Sequence, residues 1–157
     1  MTTIGITGHQ RIPTVARDYV IEGIRRALRE LTPPLLGFTS LAAGADQFFA
    51  REIIAAGGTL GAIIPSRGYD TTFSADDLVE YENLLAQCSS IEVLDFAEPS
   101  EAAFMAAGEA VVSRCQVVLA VWDGLPAAGL GGTADAVARA RELGRTVIVI
   151  WPAGVTR

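Results

Sequence analysis

The residues best suited to chemistry in this 157-residue chain lie where its apolar runs stop. Val117, Val118, Leu119, Ala120 and Val121 end at Trp122-Asp123-Gly124, a Pro/Gly segment follows, and Gly131-Gly132-Thr133 opens a helical pattern. That is the outline of a strand, a polar loop and a helix N-terminus. The first turn of a helix holds unpaired backbone N–H groups and roughly half a positive charge, and two glycines there let a phosphate or carboxylate come close. The stretch reads as an anion site suited to a nucleotide phosphate; the plainer alternative is a glycine turn with Thr133 as an ordinary N-cap. Asp135, in the same helical turn, would repel a phosphate beside it and suits a ribose hydroxyl or a hydrated cation better.

Polar residues gather after the other apolar runs as well. Thr7, Gly8 and His9 follow the first, Ser40, Gly44 and Asp46 the second, and Ser66, Arg67 and Tyr69 the third. His9 is the sole histidine and the one side chain whose ordinary titration lies near neutrality; a backbone carbonyl would satisfy it as well as a ligand. Arg11 and Arg67 are candidate phosphate partners, since guanidinium grips phosphate through two hydrogen bonds. Asp123 directly follows a buried strand, where an unpaired charge is costly, so it either caps its turn or meets a ligand. Tyr69 and Phe73 stack on a base or, on the plainer reading, anchor their loop.

Absent residues narrow the chemistry. All twelve basic residues are arginine, which removes the Walker A lysine and any Schiff-base amine. There is no G-x-S-x-G or H-E-x-x-H, and Gly5-Ile6-Thr7-Gly8 is not the G-x-G-x-x-G of dinucleotide enzymes. Two cysteines, Cys88 and Cys115, and one histidine are too few for a structural zinc, so no metal is expected. The net charge of −6, with no arginine cluster beyond Arg25-Arg26, leads us to expect no nucleic-acid partner, although one mononucleotide could still be held locally. No run is long enough to span a bilayer and no signal peptide is visible, so a cytoplasmic protein with no membrane partner is expected.

These residues need elements to position them. Half the chain is hydrophobic and 19% is charged, which suits one globular domain over residues 1–157. Strands are expected at Thr2–Thr7, Leu36–Leu41, Thr59–Ile64, Ile91–Leu94, Val117–Val121 and Thr146–Trp151. Helical spacing marks Val20, Ile24, Ala27, Leu28 and Leu31 after Pro13, then Ala45, Phe49, Ile53 and Ala56 up to Gly57-Gly58. Three further helices are expected after Ser74, with Asp77 completing a capping box, after Ser100, and from Thr133 to Gly144. Strand and helix alternate throughout, and the strands are continuous apolar runs. This predicts an α/β fold: a doubly wound, mostly parallel six-stranded sheet of Rossmann-like order 3-2-1-4-5-6 with helices on both faces, a flavodoxin-like order being the alternative. In such a sheet ligands bind at the carboxyl ends of the strands, where the polar residues above collect.

Taken together, IGITGH (Ile4 to His9), SLAAGAD (Ser40 to Asp46), the Tyr69 to Phe73 loop, and VWDG with GLGGTADAV resemble the SLOG superfamily. That Rossmann-like group includes Lonely Guy phosphoribohydrolases, DNA-processing protein A, molybdenum-cofactor carrier proteins and sensors of nucleotide signals. The resemblance implies nucleotide binding between Gly8-His9, the Ser40-Gly44-Asp46 turn and Gly131-Gly132-Thr133, and a homo-oligomer. It implies no resident cofactor beyond a bound nucleotide-derived small molecule. One departure matters: Lonely Guy enzymes carry PGGxGTxxE, and matching Thr133 to the threonine places Ala136 where the catalytic glutamate would be. Asp135 points about 100° away on the helix and is a poor substitute. The expectation is therefore a binding module, a sensor or carrier. The alternative is a phosphoribohydrolase acting on nucleoside monophosphates with Asp123 or Asp135 in the acidic role; strand recognition like that of DNA-processing protein A is disfavoured by charge.

Overall fold

Five consecutive apolar side chains make β5 (Val117–Val121) a strand that must be covered on both faces, and it is buried along its whole length beside β1 (Thr2–Gly8). In the computed structural model, which describes residues 1–126 and 132–156, these two strands form the centre of a six-stranded sheet. Outward from β1 lie β2 (Leu35–Thr39), β3 (Thr59–Ile64) and β4 (Ser90–Val93); outward from β5 lies β6 (Thr146–Val149). Every pairing is parallel, and the order is β4-β3-β2-β1-β5-β6.

Among the described residues five α-helices connect them: α1 (Thr14–Arg29), α2 (Ala45–Ala55), α3 (Ala75–Leu85), α4 (Glu101–Arg114) and α5 (Thr133–Glu142). Right-handed crossovers put α1, α2 and α3 on one face and send α4 and α5 across the other. The packing follows that division. Ile4 and Ile6 of β1 belong to one apolar cluster with Val20 and Ile24 of α1, Phe49 and Ile53 of α2 and Leu84 of α3, whereas Val118 belongs to a second with Val111 and Val112 of α4 and Ala140 of α5.

The α/β doubly wound class holds, with its 3-2-1 half and the reversal beside β1. One placement differs within it: the fourth strand extends the first half at the outer edge, so the strand next to β1 is β5. The chain keeps moving one way through α3 and reverses only with α4. All four residues of β4 are exposed, which suits an edge better than the centre. β2 also stops two residues early, because Leu41 turns into the left-handed region at φ 57°. The capping serines act as their spacing predicts: Ser74 accepts from Asp77 N–H and Ser100 from Ala103 N–H. Among the described residues no helix is long and apolar enough to cross a membrane.

Candidate functional site

A cavity of about 460 Å³ opens at the carboxyl ends of β1, β2, β3 and β5, between the starts of α2, α4 and α5. Its position follows from the sheet order: on either side of β1 the connections leave on opposite faces, and the gap between them is the crevice that parallel α/β sheets use for ligands. Gly8, His9, Ser40, Asp46, Gly132 and Thr133, read from the sequence as ligand-binding, all line it. Gly131 lies outside the described residues.

The floor depends on close approach of backbone. A Cβ on Gly8 would stand 2.5 Å from Ala45 Cβ and 2.8 Å from Val121 Cβ, so only glycine lets α2 begin so near β5. Gly44 adopts φ +78°, and its Cβ would fall 2.4 Å from the Gln10 carbonyl oxygen. It packs against the β1–α1 loop and does not line the cavity. Ala45 N–H donates to the His9 carbonyl at 3.2 Å, and His9 N–H donates to the Val121 carbonyl at 3.1 Å.

His9 is buried, with its ring edge-on to Trp151 at 5.3 Å. Its Nε2 accepts from Asp123 N–H at 3.1 Å, and in that bond Nε2 carries no proton. The Asp123 carboxylate lies 3.4 Å from the same nitrogen and accepts Leu125 N–H at 3.0 Å. Asp123 thus shapes its turn behind His9 and is not among the residues lining the cavity. Trp122 does line it, its indole N–H tied to the Leu125 carbonyl at 2.8 Å.

Asp46 occupies the first turn of α2. One carboxylate oxygen accepts from Thr39 Oγ1 at 3.0 Å and from Ser40 N–H at 3.2 Å. Burial nevertheless dominates and pushes its carboxyl up to about 6, the hydrogen bonds from Thr39, Ser40 and Ala42 offsetting only part of the cost. Tyr69, on the same cavity wall, has its hydroxyl pushed far up by burial and then by the Asp46 charge. Its ring sits edge-on to Phe73 at 5.1 Å and Tyr81 at 5.6 Å, and Phe73 stacks on Tyr81 at 4.6 Å. Both aromatics anchor their loop, and Tyr69 also lines the cavity.

The helix starts differ in a way that bears on anions. α3 and α4 spend their first-turn donors on serine caps, and α2 carries Asp46 there. α5 begins at Gly132 with no side-chain cap and carries Asp135 in its first turn, and Gly132, Thr133 and Ala134 line the cavity. Asp135 is exposed and lines a separate shallow cavity with Ala136 and Arg139, so neither it nor position 136 reaches the main one. Arg11 is exposed and Arg67 pairs with Asp95 at 3.3 Å; neither lines the cavity. Glu101 does, a residue that sequence reasoning missed: only the crossing of α4 over the far face brings its first turn here.

No protein-family model matches the chain, and no curated protein matches it. Solved structures do. DNA-processing protein A from Streptococcus pneumoniae superimposes with a TM-score of 0.67 at 18% identity, over 94% of this chain and 50% of that one. The same protein from Helicobacter pylori, described by its single-stranded DNA binding mode, gives 0.64 at 18% identity over 94% of this chain and 64% of that one. The X-ray structure of TM1055, a structural genomics target, gives 0.59 at 18% identity over 94% and 72%. The chain therefore spans half to under two thirds of the two DNA-processing proteins. These neighbours correct one expectation. Excluding a nucleic-acid partner from a net charge of −6 fails, because the H. pylori neighbour, described by its single-stranded DNA binding mode, shares this fold, and a whole-chain sum says little about the potential in one crevice. At the level of fold the motif resemblance is met: the chain has the Rossmann-like fold seen in DNA-processing protein A.

Proposed function

We propose that residues 1–157 act as one domain that binds a nucleotide or nucleotide-derived ligand in the cavity at the strand ends, as a sensor or carrier. One observation carries the reading: α5 starts at Gly132 without a side-chain cap, and Gly132, Thr133 and Ala134 line that cavity. Free first-turn N–H groups and the helix dipole favour a phosphate there. Asp46 and Glu101, which also line the cavity, suit the hydrogen-bond donors of a ribose or base.

Thermal melts against mononucleotides, cyclic nucleotides, ADP-ribose and a short single-stranded oligonucleotide test this. A ligand at a hundred times its dissociation constant adds about 2.7 kcal/mol of stability. A shift with a free nucleotide supports the reading. A shift with the oligonucleotide alone assigns the cavity to a strand, as in the H. pylori neighbour, and no shift with any member overturns both.

A second reading rests on the same two carboxylates. Asp46 and Glu101 are the acidic side chains that line the cavity among the described residues, and Asp46 is held near half-protonation at mildly acidic pH. Hydrolysis of a nucleoside monophosphate would draw its acid from this pair and not from Asp123 or Asp135. Chromatography after incubation detects the freed base; intact substrate rules the reading out.

A further inference from the structure

The first two turns of α1, α2 and α3 converge on a second cavity, of about 310 Å³. Four charged residues line it, two of each sign: Arg17 and Arg51, Asp77 and Glu80. Both guanidinium groups lie over the Phe48 ring, Arg17 at 5.4 Å and Arg51 at 5.2 Å from its centroid, which keeps the two cations together beside the cavity. Arg51 pairs with one carboxylate oxygen of Glu80 at 2.7 Å, whereas Arg17 makes no ion pair among the described residues.

Gln47 adds an acceptor. It is 4% exposed, and its Nε2 spends both protons, on the Leu41 carbonyl at 3.3 Å and the Asp77 carbonyl at 3.2 Å. Those two carbonyls fix the amide, since turning it over would set oxygen against oxygen. Its Oε1 receives no hydrogen bond from any described residue, yet it is not sealed away: the buried side-chain polar atom without a partner among the described residues is Ser66 Oγ. The open space that Gln47 lines is this cavity, so its free acceptor is directed there and lacks a donor.

The start of α1 makes the opposite demand. It has no side-chain cap and no acidic residue in its first turn, Thr14 lines the cavity, and Arg17 follows one turn on, so a carboxylate is favoured there. From this arrangement we propose that the cavity is a ligand site for a small zwitterion, an α-amino acid, with its carboxylate on Arg17 and the start of α1 and its ammonium on Gln47 Oε1 and Glu80. A simple anion would meet Asp77 and Glu80, and a simple cation both arginines; the zwitterion answers each. Of the lining residues only Gln10 also lines the cavity at the strand ends, so the proposal does not depend on the nucleotide reading.

Thermal melts and calorimetric titration of the full chain against the common α-amino acids test it, each amino acid beside the amine that lacks its carboxylate and the carboxylate that lacks its amine. At least one amino acid binds, its amine and carboxylate bind about tenfold or more weakly, and Arg17→Ala and Glu80→Gln each weaken the amino acid about tenfold. Both changed side chains reach solvent, and circular dichroism checks the fold. Binding of no amino acid overturns the proposal. So does a carboxylate that binds as tightly as its amino acid, which would make this a plain anion site, and so does binding that either variant leaves unchanged, which would put the amino acid in another cavity.

Discussion

Replacing Asp46 by asparagine removes a carboxyl that the fold holds well above its ordinary range. The group moves from 3.8 to about 6, and at about 1.4 kcal/mol per tenfold change that is about 3 kcal/mol at full effect. Because Asp46 is buried, solvent screening reduces this little. The sign follows from proton binding. Between pH 4 and 6 the folded chain holds a proton at Asp46 that the unfolded chain has released, so stability from this group is complete below about 4 and is lost as pH rises through 6. The wild type should therefore lose up to about 3 kcal/mol over that window relative to Asp46→Asn. Asparagine keeps an acceptor for Thr39 Oγ1 and Ser40 N–H but turns its amide toward other donors, so the absolute level can move either way while the slope difference persists. Urea titrations at fixed ionic strength, in half-unit pH steps, give the difference directly. Parallel curves for the two proteins between pH 4 and 7 would refute the reasoning, since the buried carboxyl would then not titrate there.

Two further outcomes follow from the cavity walls. Ala134→Pro deletes one first-turn N–H of α5 where proline is tolerated, so nucleotide affinity should fall about tenfold with the melting temperature of the free protein little changed; calorimetric titration measures it, and unaltered affinity would remove the phosphate from α5. Gly8→Ala forces a Cβ to within 2.5 Å of Ala45 and 2.8 Å of Val121, and overpacking of this kind costs about 1 to 3 kcal/mol, readable as a shifted urea midpoint; an unchanged midpoint would mean that the start of α2 can give way.

What the sequence disclosed divides along the range of the interactions involved. The five apolar residues of β5, the Ser74 and Ser100 caps and the glycine before Thr133 are local signals, and each marks an element that forms where expected. Strand order is not local: nothing within Ser90–Val93 states whether the strand lies beside β1 or beyond β3, and only its uniform exposure betrays the edge. Glu101 went unnoticed for the same reason, because a crossover and not a motif brings it over the strand ends. Arg67 looked like a phosphate ligand by chemistry alone, yet Asp95 was the partner in reach. Leu41 looked like the last residue of a strand by its side chain. Its left-handed backbone follows from Thr39 Oγ1 accepting Leu41 N–H at 2.9 Å, a detail that apolar periodicity does not carry.

The pairing of β1 with β5 also sets a clock on biosynthesis. Ile4 finds its neighbour at Val117, so during translation one edge of β1 waits for 113 more residues to be added. At 5 to 20 residues per second that is about 6 to 23 s, in which β2, β3 and β4 can assemble on the other side while the Ile4–Ile6 edge stays open. Slower elongation prolongs the exposure of an apolar, unpaired strand, so yield in the cell should track the arrival of residues 117–121 more closely than the stability of the finished sheet.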